Sequence, residues 1–400
     1  MRSIFLHIGQ PKTGTSAIQS FLKANRPLLE EGGVVYPHHC HHLSRLWDGA
    51  GEKIDASRRA WADLENDIQR SDKDFVISNE GLDKAFVITP ESVDTINSRL
   101  GVGTIRIVLY LRRQDLHLES YYRQIVRGEP HVAPFAPTVA DEMVFPGYYD
   151  YAARIRTLET LFGRGNLIIR VYDRNAFHGG CLVRDFCHAL GLRWNEAFTL
   201  PPPEDNPSMD ARLTDLMLKA NKRLTKSNGS LREFKELLDC VEAFTFPNRE
   251  NRLLSATDRI AMMKRYEEGN RWIARRYFQR EELFDLTGLD SMGEPETLTE
   301  QELYDLLLNL NAAWARGIGA VPLSTYNKLK IAHLEIKTPS THGIKQRFLH
   351  AETLLLKALS HLFIPRLPQD GQRCPTEKSA MRYIRKNAEL IREKGSNLLD

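Results

Sequence analysis

Between residues 9 and 16 the chain reads Gly9-Gln10-Pro11-Lys12-Thr13-Gly14-Thr15-Ser16. Two glycines at the spacing G-x-x-x-x-G let a backbone turn its N–H groups inward, and a hydroxyl two places after the second glycine completes the frame of a nucleotide phosphate loop. The lysine of such a loop ordinarily follows the second glycine and reaches the β and γ phosphates of a triphosphate. Here that place holds Thr15, and Lys12 lies inside the loop instead. The backbone still offers donors to a phosphate, but the displaced charge suits a group near the 5′ position of a nucleotide.

A loop of this kind works only between a strand and a helix, and the sequence supplies both. Residues 3 to 8 form a short apolar run, and Ile18, Phe21 and Leu22 recur at helical spacing up to Pro27. Further strands are expected at "DFVIS", which leads into Asn79-Glu80-Gly81, at "TIRIVLYL", which ends before Arg112, and at "NLIIRVY". After Arg112 the segment "RQDLHLESYYRQIV" places Leu116, Ser120 and Gln124 on one helix face, and "CLVRDFCHALG" is a helix that stops at Gly191. Apolar runs alternating with helices give an α/β chain, a three-layer αβα arrangement with a mainly parallel sheet, whose ligands bind beyond the carboxyl ends of the strands. Beyond the proline-rich "LPPPEDNPS" the pattern is helical over 210 to 224, about 229 to 243 and 255 to 279, and again from about 295.

Composition excludes several other classes. The formal charge of +3 over 400 residues is too small for a large nucleic-acid footprint, and its basic excess belongs to the tail beyond residue 300. Five scattered cysteines with no C-x-x-C pair argue against a disulfide framework and a thiolate zinc site. The first apolar run is too short for a signal-peptide core, and Lys357 interrupts the run from Phe348 to Ile364, so a cytoplasmic protein is expected.

The segment "PKTGTSAIQ" resembles the 5′-phosphosulfate-binding loop of sulfotransferases that use 3′-phosphoadenosine 5′-phosphosulfate (PAPS), in particular bacterial, carbohydrate-modifying members with a following glutamine. Their second signature, an arginine at a strand end and a serine eight residues later, is matched by Arg112 and Ser120. Looser likeness runs through "RVYDRNAFHGGCLVRDFCHALGL", "NPSM" and "NRWIARRYFQREELF", so it spans residues 1 to 290, with a P-loop α/β core over about 1 to 200 and a helical part over 205 to 290. The R-K-G segment of cytosolic small-molecule members is absent, which leaves the adenine contacts unassigned. The resemblance implies that Lys12 meets the bridging oxygen and leaving phosphate, that Thr13, Gly14, Thr15 and Ser16 hold the 5′-phosphate, and that Arg112 and Ser120 hold the 3′-phosphate. It implies no metal. The base that takes the acceptor's proton is left between Glu80, after "DFVIS", and His42 or His41 in "YPHHCHHLSRLW", with His7 a weaker third. The implied acceptor is a carbohydrate or glycolipid hydroxyl or amine. A P-loop kinase or NTPase with an unusual lysine, and a non-catalytic interaction protein on the same fold, are the alternatives.

Three features have plainer readings. "HHCHH" contains zinc-ligand types, but five adjacent ones cannot all face one ion, and a loop is the simpler reading. The tyrosines of "FPGYYDYAARI" suit a core better than a sugar platform. The amphipathic, basic extension over 295 to 400 suits a docked helix or a homodimer contact better than peripheral attachment at the inner face of a membrane.

Overall fold

The structure, a computed structural model, describes residues 2–38, 52–80, 82, 100, 104–128, 131, 133–135, 147–201, 209–224, 238, 252–291, 293–299, 301, 302, 305, 306 and 309, with side chains omitted at 52–58, 223 and 224. Two compact units partition the chain. One comprises Met1–Tyr121, Ala136–Pro207 and Leu254–Gly293, and the other comprises Tyr122–Phe135, Ser208–Leu253 and Glu294–Asp400.

The first unit is built on five parallel strands: β1 (Ser3–His7), β2 (Val34–Val35), β3 (Asp74–Ser78), β4 (Thr104–Leu111) and β5 (Leu167–Val171). Their order is β2-β3-β1-β4-β5. Residues Ile4 to Leu6, Phe75 to Ile77 and Ile107 to Leu111 are almost wholly buried, as expected of strands covered on both faces. Central β1 is held in register on both sides, with His7 level with Ser78 of β3 and Val108 of β4. The chain passes from β1 to the β2-β3 side and then crosses to β4, so β1 and β4 flank the point where the winding reverses. In open α/β sheets, ligands bind in the crevice at such a reversal, beyond the carboxyl ends of the strands.

The strands at residues 74–78, 104–111 and 167–171 fall within the expected runs, while β2 was not anticipated, because two valines are too short a run to register. Helix α1 (Thr15–Ala24) follows β1 directly. Pro27 does not simply end a helix: it sits in the first turn of α2 (Arg26–Glu31), where its missing N–H costs nothing. The stretch expected as one helix over 255 to 279 is three pieces, α8 (Ala256–Arg265), α9 (Glu267–Ile273) and a π-helical turn (Ala274–Phe278). Between these lie α3 (Glu52–Gln69), α4 (Gln114–Gly128), α5 (Tyr151–Phe162), α6 (Leu182–Ala189) and α7 (Thr214–Leu224).

Buried polar anchors fix the helices to the sheet. Asp185 on α6 accepts from Tyr110 Oη of β4 at 2.7 Å and from the backbone N–H of His178 at 2.8 Å, and forms an ion pair with Arg170 of β5. Tyr148, Tyr149 and Tyr151 are at most 1% exposed, which makes them core residues. In the second unit, α7 is entered through a one-turn 3-10 helix whose Asp210 accepts from Arg212 N, and Asn221 donates to Val126 O and His131 O at 2.8 and 2.7 Å. Apart from residue 238, the region expected to be helical over 229 to 243 lies outside the described residues, as does nearly all of the 295 to 400 extension.

Candidate functional site

The glycine-flanked loop occupies the β1–α1 junction, at the carboxyl end of the central strand. Gly14 is the N-cap of α1 in the left-handed region (φ 75°), and no side chain caps the helix. A Cβ placed there would stand 2.3 Å from Leu182 Cδ2 and 3.1 Å from Tyr172 Cε2, so both the backbone angle and the space demand glycine. The first-turn N–H groups of α1 carry the positive end of the helix dipole and are open to an anion. Lys12 also has positive φ (63°), a strained conformation for a lysine.

Residues far away in sequence hold the loop in this shape. Thr13 Oγ1 donates to Gln10 O at 2.6 Å, closing the turn from within. Arg112, immediately after β4, donates through Nη1 to Lys12 O at 2.8 Å, and its guanidinium lies 5.5 Å from the Tyr172 ring centroid. The Gln10 amide bridges both sides of the crevice: its Oε1 accepts from Arg112 N at 3.3 Å and its Nε2 donates to Tyr151 Oη at 2.9 Å. Tyr151 Oη in turn donates to Arg112 O at 2.9 Å, so loop, β4 end and α5 form one closed ring of hydrogen bonds. Burial lowers the pKa of Arg112, opposed by Tyr172, Tyr151, Asp115 and Glu119, and the guanidinium keeps its charge.

His117 completes the scaffold and was not singled out in the sequence. It is fully buried on α4, with Nε2 2.8 Å from Pro11 O and Nδ1 3.0 Å from Tyr149 Oη. Burial, and then Arg112, hold its pKa well below the usual imidazole value despite the Pro11 hydrogen bond. A neutral ring must therefore donate from Nε2 to Pro11 and accept the Tyr149 hydroxyl at Nδ1. The available signal was the density of polar residues in "QDLHLES", all but Leu116 and Leu118 capable of hydrogen bonding on a helix that turns out to be buried nearly all round. Gln114 pairs reciprocally with Asn270 of α9, at 2.8 and 3.2 Å. Asp115 and Glu119 both bind the buried Arg259 of α8.

The structure thus brings Lys12, Thr13 and Arg112 into one hydrogen-bonded assembly, with Gly14, Thr15 and Ser16 entering α1 beside them. Ser120 is buried two turns along α4 from Arg112. Glu80 is exposed at the turn after β3, the strand next to β1. His41, His42 and the whole "HHCHH" stretch lie outside the described residues. His7 is a core residue: it is fully buried, its Nδ1 is 2.8 Å from Ser78 Oγ, and its ring meets Phe186 and Tyr110 edge-on. Gln19, the glutamine that follows the loop, donates to Ser78 O and Oγ at 3.3 and 3.4 Å, tying α1 to the end of β3. Among the described residues no cluster of His, Cys, Asp and Glu could hold a metal ion, and no helix is long and apolar enough to cross a membrane.

The two buried imidazoles give the fold an acid sensitivity whose sign is fixed. Burial pulls His7 from 6.5 to about 3 and His117 down as well. The unfolded chain binds a proton at each ring below about pH 6.5 that the folded chain refuses. Stability is therefore whole above that pH and falls on acidification by about 1.4 kcal/mol per pH unit for each histidine. Urea midpoints should decline steadily from about pH 6.5 to about pH 5, and equal midpoints across that interval would contradict neutral burial of both rings.

Fold and site together define a parallel α/β protein with an open helix N-terminus and a lysine-bearing loop at the winding reversal of its sheet. No family model matches the chain. An uncharacterised protein of Archaeoglobus fulgidus is 31% identical over 192 residues, 47% of this chain and 50% of that protein. The raffinose operon transcriptional regulatory protein RafR of Pediococcus pentosaceus is 31% identical over 93 residues, 23% of this chain and 33% of that protein. The chain thus spans half or less of the length of the curated relatives it matches. Among solved structures, the sulfotransferase from Alicyclobacillus acidocaldarius shares 19% identity at a TM-score of 0.35, over 56% of this chain and 96% of that one.

Proposed function

We propose that the chain is a sulfotransferase that moves a sulfonate from PAPS to a hydroxyl or amine of a carbohydrate or glycolipid acceptor by in-line displacement. One observation carries this reading: Arg112, the residue assigned to the 3′-phosphate, donates to the Lys12 carbonyl at 2.8 Å. The two halves of the expected nucleotide site, 100 residues apart in sequence, are therefore neighbours. The geometry suits the donor, because the open α1 N-terminus offers several N–H groups to one phosphate and the loop lysine sits before them rather than after. When bound, the donor supplies a sulfonate on a phosphate leaving group.

The chain's own residues then divide the work. The N–H groups and hydroxyls of Thr15 and Ser16 hold the 5′-phosphate, and Lys12 compensates the charge that grows on it as the bond to sulfur breaks. Arg112 and Ser120 bind the 3′-phosphate and fix the nucleotide, so the displacement proceeds at a held distance. Glu80, exposed at the carboxyl end of β3, takes the acceptor's proton, with His42 the alternative base.

Adenosine 3′,5′-bisphosphate should bind in the presence of a chelator, and labelled donor should transfer its sulfonate to a fraction of cell-envelope glycans. Binding of ATP that requires Mg²⁺, with no affinity for the bisphosphate, would assign the loop to a kinase or NTPase. Glu80→Gln should abolish transfer while leaving bisphosphate binding intact, and full transfer by that variant would pass the base role to His42.

A further inference from the structure

A cavity lies in the first unit, away from the phosphate loop. It measures about 510 Å³ and is lined by Arg164, Glu268, Arg271, Trp272, Arg275 and Arg276. Arg164 stands in the single 3-10 turn (Arg164–Asn166) that leads into β5. In a parallel sheet the beginning of β5 and the end of β1 are on opposite edges, so this cavity is separate from the donor site. Four guanidiniums and one indole share it with a single carboxylate.

The arginines are held in place from outside the lining. Arg271 pairs with Glu267 at 2.6 Å, Arg275 donates through Nε to Glu281 at 2.9 Å, and Arg276 donates through Nη2 to Glu159 at 3.0 Å. Arg164 donates to Arg276 O at 2.6 Å. None of the three carboxylates that orient Arg271, Arg275 and Arg276 lines the cavity, and Nη1 of those arginines has no protein hydrogen-bond partner among the described residues. Trp272 lies under the Arg156 and Arg276 guanidiniums, at 4.5 and 5.4 Å from its centroid. The π-helical turn over Ala274–Phe278 ends on Gln279 at φ 55°, and such turns recur at functional sites. Oriented guanidiniums with unspent donors form a ready receptor for oxyanions. Glu268 repels an anion set against it but accepts hydroxyl groups.

From this arrangement we propose that the cavity binds a small sugar or polyol carrying at least two phosphate or sulfate esters, with its anionic groups on Arg271, Arg275 and Arg276 and a hydroxyl on Glu268. The volume matches a ligand of one or two rings. This site does not depend on the activity proposed above.

Calorimetry with the full chain at physiological salt, in saturating adenosine 3′,5′-bisphosphate, tests it with two probes: sucrose octasulfate and myo-inositol hexakisphosphate. The expected result is one saturable equivalent of at least one probe. The double variant Arg271→Gln/Arg275→Gln should lose about tenfold or more in affinity, since two charge-assisted contacts go. Both side chains are exposed, so its thermal unfolding should match wild type; if it does not, Trp272→Phe and the single variants carry the comparison. Sedimentation with vesicles containing phosphatidylinositol 4-phosphate separates the sources: arginine-dependent vesicle binding points to a lipid headgroup, and its absence beside probe binding points to a free ligand. No saturable binding of either probe, or equal affinity in the double variant, would overturn the proposal.

Discussion

Lys12→Ala should lower the rate of sulfonate transfer about a hundredfold to a thousandfold, the usual loss when one preorganised partner of developing charge is removed. Adenosine 3′,5′-bisphosphate should still bind, because α1's N–H groups and the Arg112 contact do not depend on the lysine side chain: Arg112 grips the carbonyl of residue 12, which any amino acid has. The backbone adds a second expectation. Lys12 sits at φ 63°, where a Cβ costs of order 1 kcal/mol and glycine costs little. Lys12→Gly should therefore be at least as stable as Lys12→Ala, by roughly that amount, and equally inactive. Single-turnover transfer and urea midpoints of the two variants measure both effects. Full activity in either would remove Lys12 from the chemistry, and a Lys12→Gly less stable than Lys12→Ala would remove the strain argument.

The largest stability effect is expected at Arg259. This guanidinium on α8 is 1% exposed, with Nη1 at 2.8 Å from Asp115 and Nη2 bonded to Glu119. Asp115 is shared with Arg113, which binds it through Nε at 2.8 Å and Nη2 at 3.0 Å, and Glu119 also accepts from Leu254 N at 2.8 Å. Arg259→Met leaves the Glu119 carboxylate buried without its cation and should cost about 3–5 kcal/mol. Adding Glu119→Gln removes the stranded charge and keeps an acceptor for Leu254, so the double variant should recover much of the loss. Urea unfolding of the single and double variants reads this directly. A single variant within about 1 kcal/mol of wild type would mean that the Glu119 carboxylate is not left as a stranded charge, being protonated or reached by water. Because α4 also carries His117, the single variant should weaken bisphosphate binding as well.

What the sequence made legible follows from which interactions are local. Four of the five strands were readable from short, mainly apolar runs, and the β1–α1 loop from its glycine spacing, since both patterns are written in consecutive residues. Helix α4 was readable as a helix but not as a buried one. Asp115, His117, Glu119 and Arg123 are polar positions whose partners, Arg259, Pro11, Leu254 and Met209, arrive from elsewhere in the chain. His7 invited a catalytic reading by standing next to the loop, yet its strand position turns it into the core against Phe186. The proline at residue 27 reads as a stop in sequence and is a start in the structure, because the same ring geometry serves either side of a helix boundary.

The closed ring around Gln10 has a consequence for the order in which this protein comes into being. Gln10 meets a partner 141 residues downstream, Pro11 one 106 downstream and Lys12 one 100 downstream. A chain emerging from the ribosome makes the loop before the residues that shape it. Until Tyr151 has been synthesised the hydrogen-bond ring around Gln10 cannot close, although Arg112 and His117 are already in the chain. Nascent chains cut short before that point should bind adenosine 3′,5′-bisphosphate less tightly than the full chain, so the loop takes its final shape well after its own residues have been made.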